Sequence, residues 1–137
     1  MRTTRFIPLL AMAALGGCGL FGGGGNKPLI ADSRSPILDA PVPAGFTMSD
    51  DSTSKVIPGS GLRLVNHRYT GIDDLMPVVN FYKDQMPQKE WVFLDQNQPM
   101  GKEIVVHFTK KGEECYVTVT KRLFDTSIGI RIDPLTR

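Results

Sequence analysis

Apolar and polar positions alternate with period two through most of the C-terminal half of the chain. Ile104, Val106 and Phe108 alternate with Val105, His107 and Thr109. Cys115, Val117 and Val119 alternate with Tyr116, Thr118 and Thr120, and Thr126, Ile128, Ile130 and Ile132 with Ser127, Gly129 and Arg131. Such runs predict strands with one apolar and one polar face. Turn residues separate them at Asn97 to Lys102, Lys110-Lys111-Gly112-Glu113 and Leu123-Phe124-Asp125. Trp91 to Leu94 predicts a short apolar strand ahead of this set. A first strand is expected over residues 62–70, with Leu62 and Leu64 on one face and a slip near Val65 to Tyr69 that suggests a bulge. Ser49 to Ser54 reads as a polar loop and Pro58-Gly59-Ser60-Gly61 as a turn cluster.

Between Ile72 and Met86 the period changes. A wheel at about 100° per residue gathers Ile72, Leu75, Met76, Val79, Tyr82 and Met86 on one side, with Asp73, Asn80 and Asp84 opposite. Phe81 falls outside this stripe and Lys83 inside it. Thr70 is a candidate cap, Pro77 requires an early or distorted first turn, and Pro87 ends the helix. The element order β-α-β-β-β-β predicts an α+β domain: a single antiparallel sheet of about five strands with one amphipathic helix packed on one face. The helix would cover Ile104, Val106, Phe108, Cys115, Val117, Val119, Ile128 and Ile130. The other face, carrying His107, Tyr116, Thr118, Thr120 and Arg131, is left for solvent or a partner.

The N-terminal segment follows a different logic. Arg2 and Arg5 precede an apolar run of ten residues, Phe6 to Leu15, and small residues lead on to Cys18. Spanning a hydrocarbon core as a helix takes about 20 apolar residues, so this layout predicts an export signal. Leu15-Gly16-Gly17-Cys18 resembles the bacterial lipobox. The resemblance implies that residues 1–17 are removed as a signal peptide and that the Cys18 sulfur receives a diacylglycerol, its new amino group usually being acylated too. One acyl chain anchors marginally and two or more hold stably. Gly19 stands where an Asp commonly retains lipoproteins at the inner membrane. In a bacterium with two membranes, the resemblance therefore points to the outer membrane, facing the periplasm.

Residues 18–39, rich in Gly, Ser and Pro without a period, read as the lipidated Cys followed by a flexible tether. A flexible chain of about twenty residues typically spans roughly 25 Å. The apolar pairs Leu29-Ile30 and Ile37-Leu38 could instead pack on the domain or on a partner. Residues 40–137 read as one globular domain. Loss of Arg2 and Arg5 with the signal leaves 14 basic residues against 14 acidic ones, down from a net +2 for the whole chain. That balance lacks the basic excess of a nucleic-acid binder.

Once Cys18 is lipidated, Cys115 is the single remaining cysteine, and it shares parity with Val117 and Val119, which places it on the apolar face. His67 and His107 lie on different strands without metal-ligand spacing, so no metal and no cofactor beyond the covalent lipid is expected. There is no Ser-His-acid order, and Gly22 to Gly25 lacks the Lys-Ser and the preceding strand of a phosphate loop.

Pro43-Ala44-Gly45-Phe46, Tyr69-Thr70-Gly71, the segment from Phe81 through Met86-Pro87 to Trp91, Phe108-Thr109-Lys110 and Cys115-Tyr116-Val117 together resemble a pattern in uncharacterised small bacterial lipoproteins. That resemblance covers nearly all of the mature domain. It implies lipid anchoring and an α+β fold, and no function. The expectation is a non-enzymatic, membrane-tethered module of the cell envelope that engages an envelope protein through its open sheet face or an edge strand. The alternative is a small-ligand or lipid carrier with an apolar pocket between helix and sheet. A hydrolase built on His67 or His107 is a weaker option.

Overall fold

The computed structural model of the protein describes residues 27–135. The signal segment 1–17, the lipobox with Cys18 and tether residues 19–26 lie outside the described residues. The elements in order are β1 (Thr47–Met48), β2 (Thr53–Val56), β3 (Arg63–Gly71), α1 (Leu75–Gln88), β4 (Val92–Met100), β5 (Glu103–Lys110), β6 (Glu113–Lys121) and β7 (Thr126–Pro134). All seven strands form one antiparallel sheet in the order β1-β3-β7-β6-β5-β4, with β2 pairing the same edge of β3 as β1.

The structure therefore overturns the expected α+β domain of about five strands in β-α-β-β-β-β order: the fold is mostly β, with seven strands and one helix. The two unforeseen strands explain the error. β1 is two residues long, β2 is four, and both are exposed throughout. A short edge strand that buries nothing has no apolar alternation to betray it. The expected bulge in β3 is absent, because β3 pairs with β7 in unbroken register from Val65↔Ile132 to Gly71↔Thr126. The apparent slip arises because His67 and Tyr69 follow Val65 into the core, their Nδ1 and hydroxyl 2.8 Å apart. Burial pushes the pKa of His67 below its ordinary value. The irregularities lie in β4 instead, between Phe93 and Asp95 and between Asn97 and Met100, so β4 runs on through part of the expected turn.

All eight residues expected under the helix are buried. The stripe on α1 is rotated from expectation. Phe81 is buried with Val78, Val79, Tyr82 and Met86, whereas Ile72 and Met76 are exposed. Ile72 precedes the helix, which starts after Asp74 with Pro77 in the first turn, where no intrahelical N–H is needed. Thr70 lies in β3 and caps nothing, and Pro87 sits inside the last turn. The Tyr82 hydroxyl is buried without a hydrogen-bond partner.

The helix covers β4, β5 and β6. The rest of that face meets a strap of chain from Lys27 to Phe46, much of which the sequence assigns to the tether. Asp32 N–H donates to Val42 O (2.8 Å) and Ala44 N–H to Ile30 O (2.8 Å), and Ile37, Ala40, Val42 and Phe46 enter the core. Phe46 presses so closely on β3 that a Cβ on Gly71 would lie 2.8 Å from its ring. The strap's far tip is held by Asp39. Its carboxylate accepts from Arg63 Nη1 and Nη2 (2.8 and 2.9 Å) and from Lys110 Nζ (3.0 Å), and its carbonyl accepts from the Trp91 indole (2.7 Å). Arg63 Nη2 also donates to the buried Glu113 (2.7 Å). Lone pairs on two carboxylates thus satisfy one guanidinium, which binds both in its planar fork.

Burial alone would raise the pKa of Asp39, but hydrogen bonds from Arg63 and Lys110, and their charges, outweigh it and hold the carboxyl below its usual range. A depressed folded pKa stabilises the fold fully above the unfolded value of about 4 and loses that contribution as pH falls through the folded value. Asp39→Asn should cost about 1–3 kcal/mol at pH 7. Urea unfolding at pH 7, 5, 4 and 3 checks the sign: the gap between wild type and Asp39→Asn should narrow on acidification. A gap that is constant with pH would contradict the clamp.

Candidate binding face

Strands β5, β6 and β7 turn their second set of side chains away from the helix, and no layer covers them among the described residues. Antiparallel register aligns these side chains in rows. His107 pairs with Tyr116, Tyr116 with Arg131 and Arg131 with Asn66 of β3. The next row is Val105, Thr118, Gly129 and Arg68, followed by Glu103, Thr120, Ser127 and Thr70. The five residues expected on this face, His107, Tyr116, Thr118, Thr120 and Arg131, all project from it.

The first row is a stack. The His107 and Tyr116 ring centroids lie 4.2 Å apart with the planes at 8°, and the Arg131 guanidinium carbon sits 5.1 Å from the Tyr116 ring centroid. Carboxylates brace both ends. Asp95 lies 3.5 Å from His107 Nδ1, Glu114 lies 3.3 Å from its Nε2, and Asp133 lies 2.6 Å from Arg131 Nε. The Tyr116 hydroxyl donates to Glu114 (3.3 Å). Desolvation, then the Glu114 charge and this hydrogen bond, raise the Tyr116 pKa above the ordinary phenol value. The stack is thus fixed before any partner arrives, which lowers the ordering cost of binding.

Beside the stack the face dips. Gly129 contributes no side chain to the middle row, so Thr118, Arg131, Asn66 and Val105 surround a depression of about 310 Å³. It continues past Ser127, Thr120 and Arg68 through a second depression of about 360 Å³. The result is a trough floored by backbone and small hydroxyls, with the aromatic-guanidinium stack as one wall. Thr120 Oγ1 is already engaged, donating to Glu103 (3.2 Å), while Thr118 makes no side-chain hydrogen bond among the described residues.

Sequence reading missed Asp95, Glu114, Asn66 and Arg68. Parity could have placed Glu114, Asn66 and Arg68 on this face, but Asp95 arrives there only through the irregularity after Phe93. His67 and His107 are not brought together, since they point to opposite faces of the sheet. Among the described residues, no group of three or more His, Cys, Asp or Glu side chains is placed to hold a metal ion. Cys115 is fully buried and free, and desolvation raises its thiol pKa, so it is no accessible nucleophile. No protein-family model matches the chain, and no curated protein or solved structure matches it.

The trough floor accepts a side chain without disturbing the sheet. A Cβ on Gly129 would lie 3.8 Å from Thr118 Cβ and 3.9 Å from Thr118 O, ordinary contacts. A strand glycine packs nothing and costs backbone entropy, so Gly129→Val should unfold at the same or a higher urea concentration, up to about 1 kcal/mol more stable. A loss of more than about 1 kcal/mol would mean that the face is tighter than the structure shows.

Proposed function

We propose that the protein is a lipid-anchored, non-enzymatic binding module of the bacterial cell envelope that engages another envelope protein through the open face of its sheet. The observation that carries this reading is the braced His107-Tyr116-Arg131 stack beside the Gly129 trough, on a face that no other part of the described chain covers. Tyr and Arg are the residue types that dominate interface energetics, and here both are immobilised in advance. The hydroxyls of Thr118 and Ser127 on the trough floor can hydrogen-bond to an incoming backbone or polar side chain.

The anchor half of the proposal rests on Leu15-Gly16-Gly17-Cys18 at the end of a short apolar run. No described helix is long and apolar enough to cross a membrane. For the carrier alternative, the space between helix and sheet is the relevant place, and Trp91, Tyr82, Phe108 and Met86 fill it as fully buried side chains.

In-cell photo-crosslinking from position 118 tests the proposal. The wild-type background should capture one envelope protein reproducibly, and Tyr116→Ala or Gly129→Val should reduce that capture by about tenfold or more, the loss expected on removing a single interface anchor of about 1.4 kcal/mol. Cys18→Ser should remove the protein from the membrane fraction and abolish the capture. Failure to capture anything, or capture indifferent to both face variants, overturns the assignment of this face.

A further inference from the structure

We infer that the protein's β6–β7 turn end is seated on the lipid surface to which Cys18 is attached, with Phe124 and Leu123 entering the headgroup layer. This rests on the lipid-anchor reading and adds to it how the domain stands on the membrane.

Four large apolar side chains are exposed at one end of the domain: Phe124 at 87%, Ile72 at 83%, Leu123 at 82% and Ile30 at 71%. Their proximity follows from contacts that tie three segments together. Thr126 Oγ1 donates to Asp73 O (2.5 Å) and Lys121 Nζ bridges to Asp74 (3.1 Å), which brings the Arg122 to Asp125 turn against the residues just before α1. Ile72 in turn shares a surface depression with Lys27, Ile30 and Pro77. Arg122 and Asp125 clamp the turn, backbone to backbone at 2.8 Å and side chain to side chain at 2.6 Å, so Leu123 and Phe124 are held at its tip. Met100, 74% exposed, lies at the β4–β5 turn of this same end, whereas Val56 and Val92 lie along the two edges of the sheet and Leu38 beside Asp39 at the opposite end.

At Lys27 the chain lies beside α1, sharing one depression with Ile72, Asp73 and Asp74 and another with Asn80, Asp84 and Gln85. Eight residues separate Cys18 from Lys27, and the nine Cα–Cα steps between them span at most about 30 Å even when fully extended. The nine-residue strands of the sheet are themselves about 30 Å long. A lipid on Cys18 therefore keeps the domain within about 30 Å of the bilayer, and the exposed Phe124, Leu123, Ile72 and Ile30 select the end that meets it. The charges near the turn are balanced, Lys121 by Asp74 and Arg122 by Asp125, so the seating is apolar and does not call for an anionic lipid. With this end down, the sheet stands upright and its open face looks sideways along the membrane surface.

The test uses the full lipidated protein recovered from membranes and reconstituted into phosphatidylcholine vesicles carrying acyl chains brominated near the headgroup. The chain's single tryptophan, Trp91, is buried and gives a constant background. Phe124→Trp and Leu123→Trp add reporters at the turn, and Leu38→Trp adds one at the far end. The added Phe124→Trp emission should be blue-shifted and quenched at least about twofold, as expected for a ring about 5–10 Å into the interface, and should stay so at high salt, while Leu38→Trp remains unquenched. Equal quenching of the two in protein that floats with the vesicles overturns the seating and leaves the anchor intact. A blue shift without bromine quenching assigns the turn to a protein contact and also overturns it. Protein that carries no lipid and does not float overturns the anchor reading itself.

Discussion

The Asp39 carboxylate accepts hydrogen bonds from Arg63 and Lys110 while its backbone carbonyl accepts one from Trp91, and the remainder of the domain is organised around that junction. It joins the strap to β3, to the end of β5 and to Trp91 just ahead of β4. Without it, the covering of the β3 side of the core would hang on the apolar contacts of Ile37, Val42 and Phe46 alone. A sheet of seven strands has more apolar face than one 14-residue helix can cover, and the strap makes up the difference. The partly buried charges cost desolvation, and their return is a fixed path for the chain from the core to Lys27.

That path links the two ends of the molecule to its two faces. One face of the sheet is closed by helix and strap, and the other is left with polar rows, a glycine gap and a braced aromatic stack. Polar side chains on a solvated sheet face are ordinary. The combination of a stack immobilised by three carboxylates and an unfilled trough beside it is what the proposed binding role of this face rests on. If the strap positions the anchor at the β6–β7 turn end, neither the bilayer nor the helix obstructs the face.

The period-two runs from Ile104 to Ile132 were legible because buried residues alternate with mostly polar ones, and the whole core-facing set followed from them, including Cys115. The same parity put His107, Tyr116, Thr118, Thr120 and Arg131 on one face. What stayed hidden was long-range or edge-bound. β1 and β2 bury nothing, His67 breaks the apolar pattern by being buried, and Ile72 mimics a helix position while lying outside the helix. The strap read as tether because its Gly, Ser and Pro content resembles a linker, while the partners that hold Asp39 stand 24 and 71 residues further along the chain. Gly129 looked like any strand residue until register set it between Thr118 and Arg68.

The account as a whole depends on Cys18 as the point of attachment, and the intact mass of the protein extracted from membranes tests that most directly. A lipoprotein anchored in this way has a chain that begins at Cys18, lacks residues 1–17 and carries the added mass of a diacylglycerol thioether with or without an amide-linked acyl group. A mass that retains Met1, or a chain cut elsewhere with an unmodified Cys18, would contradict it.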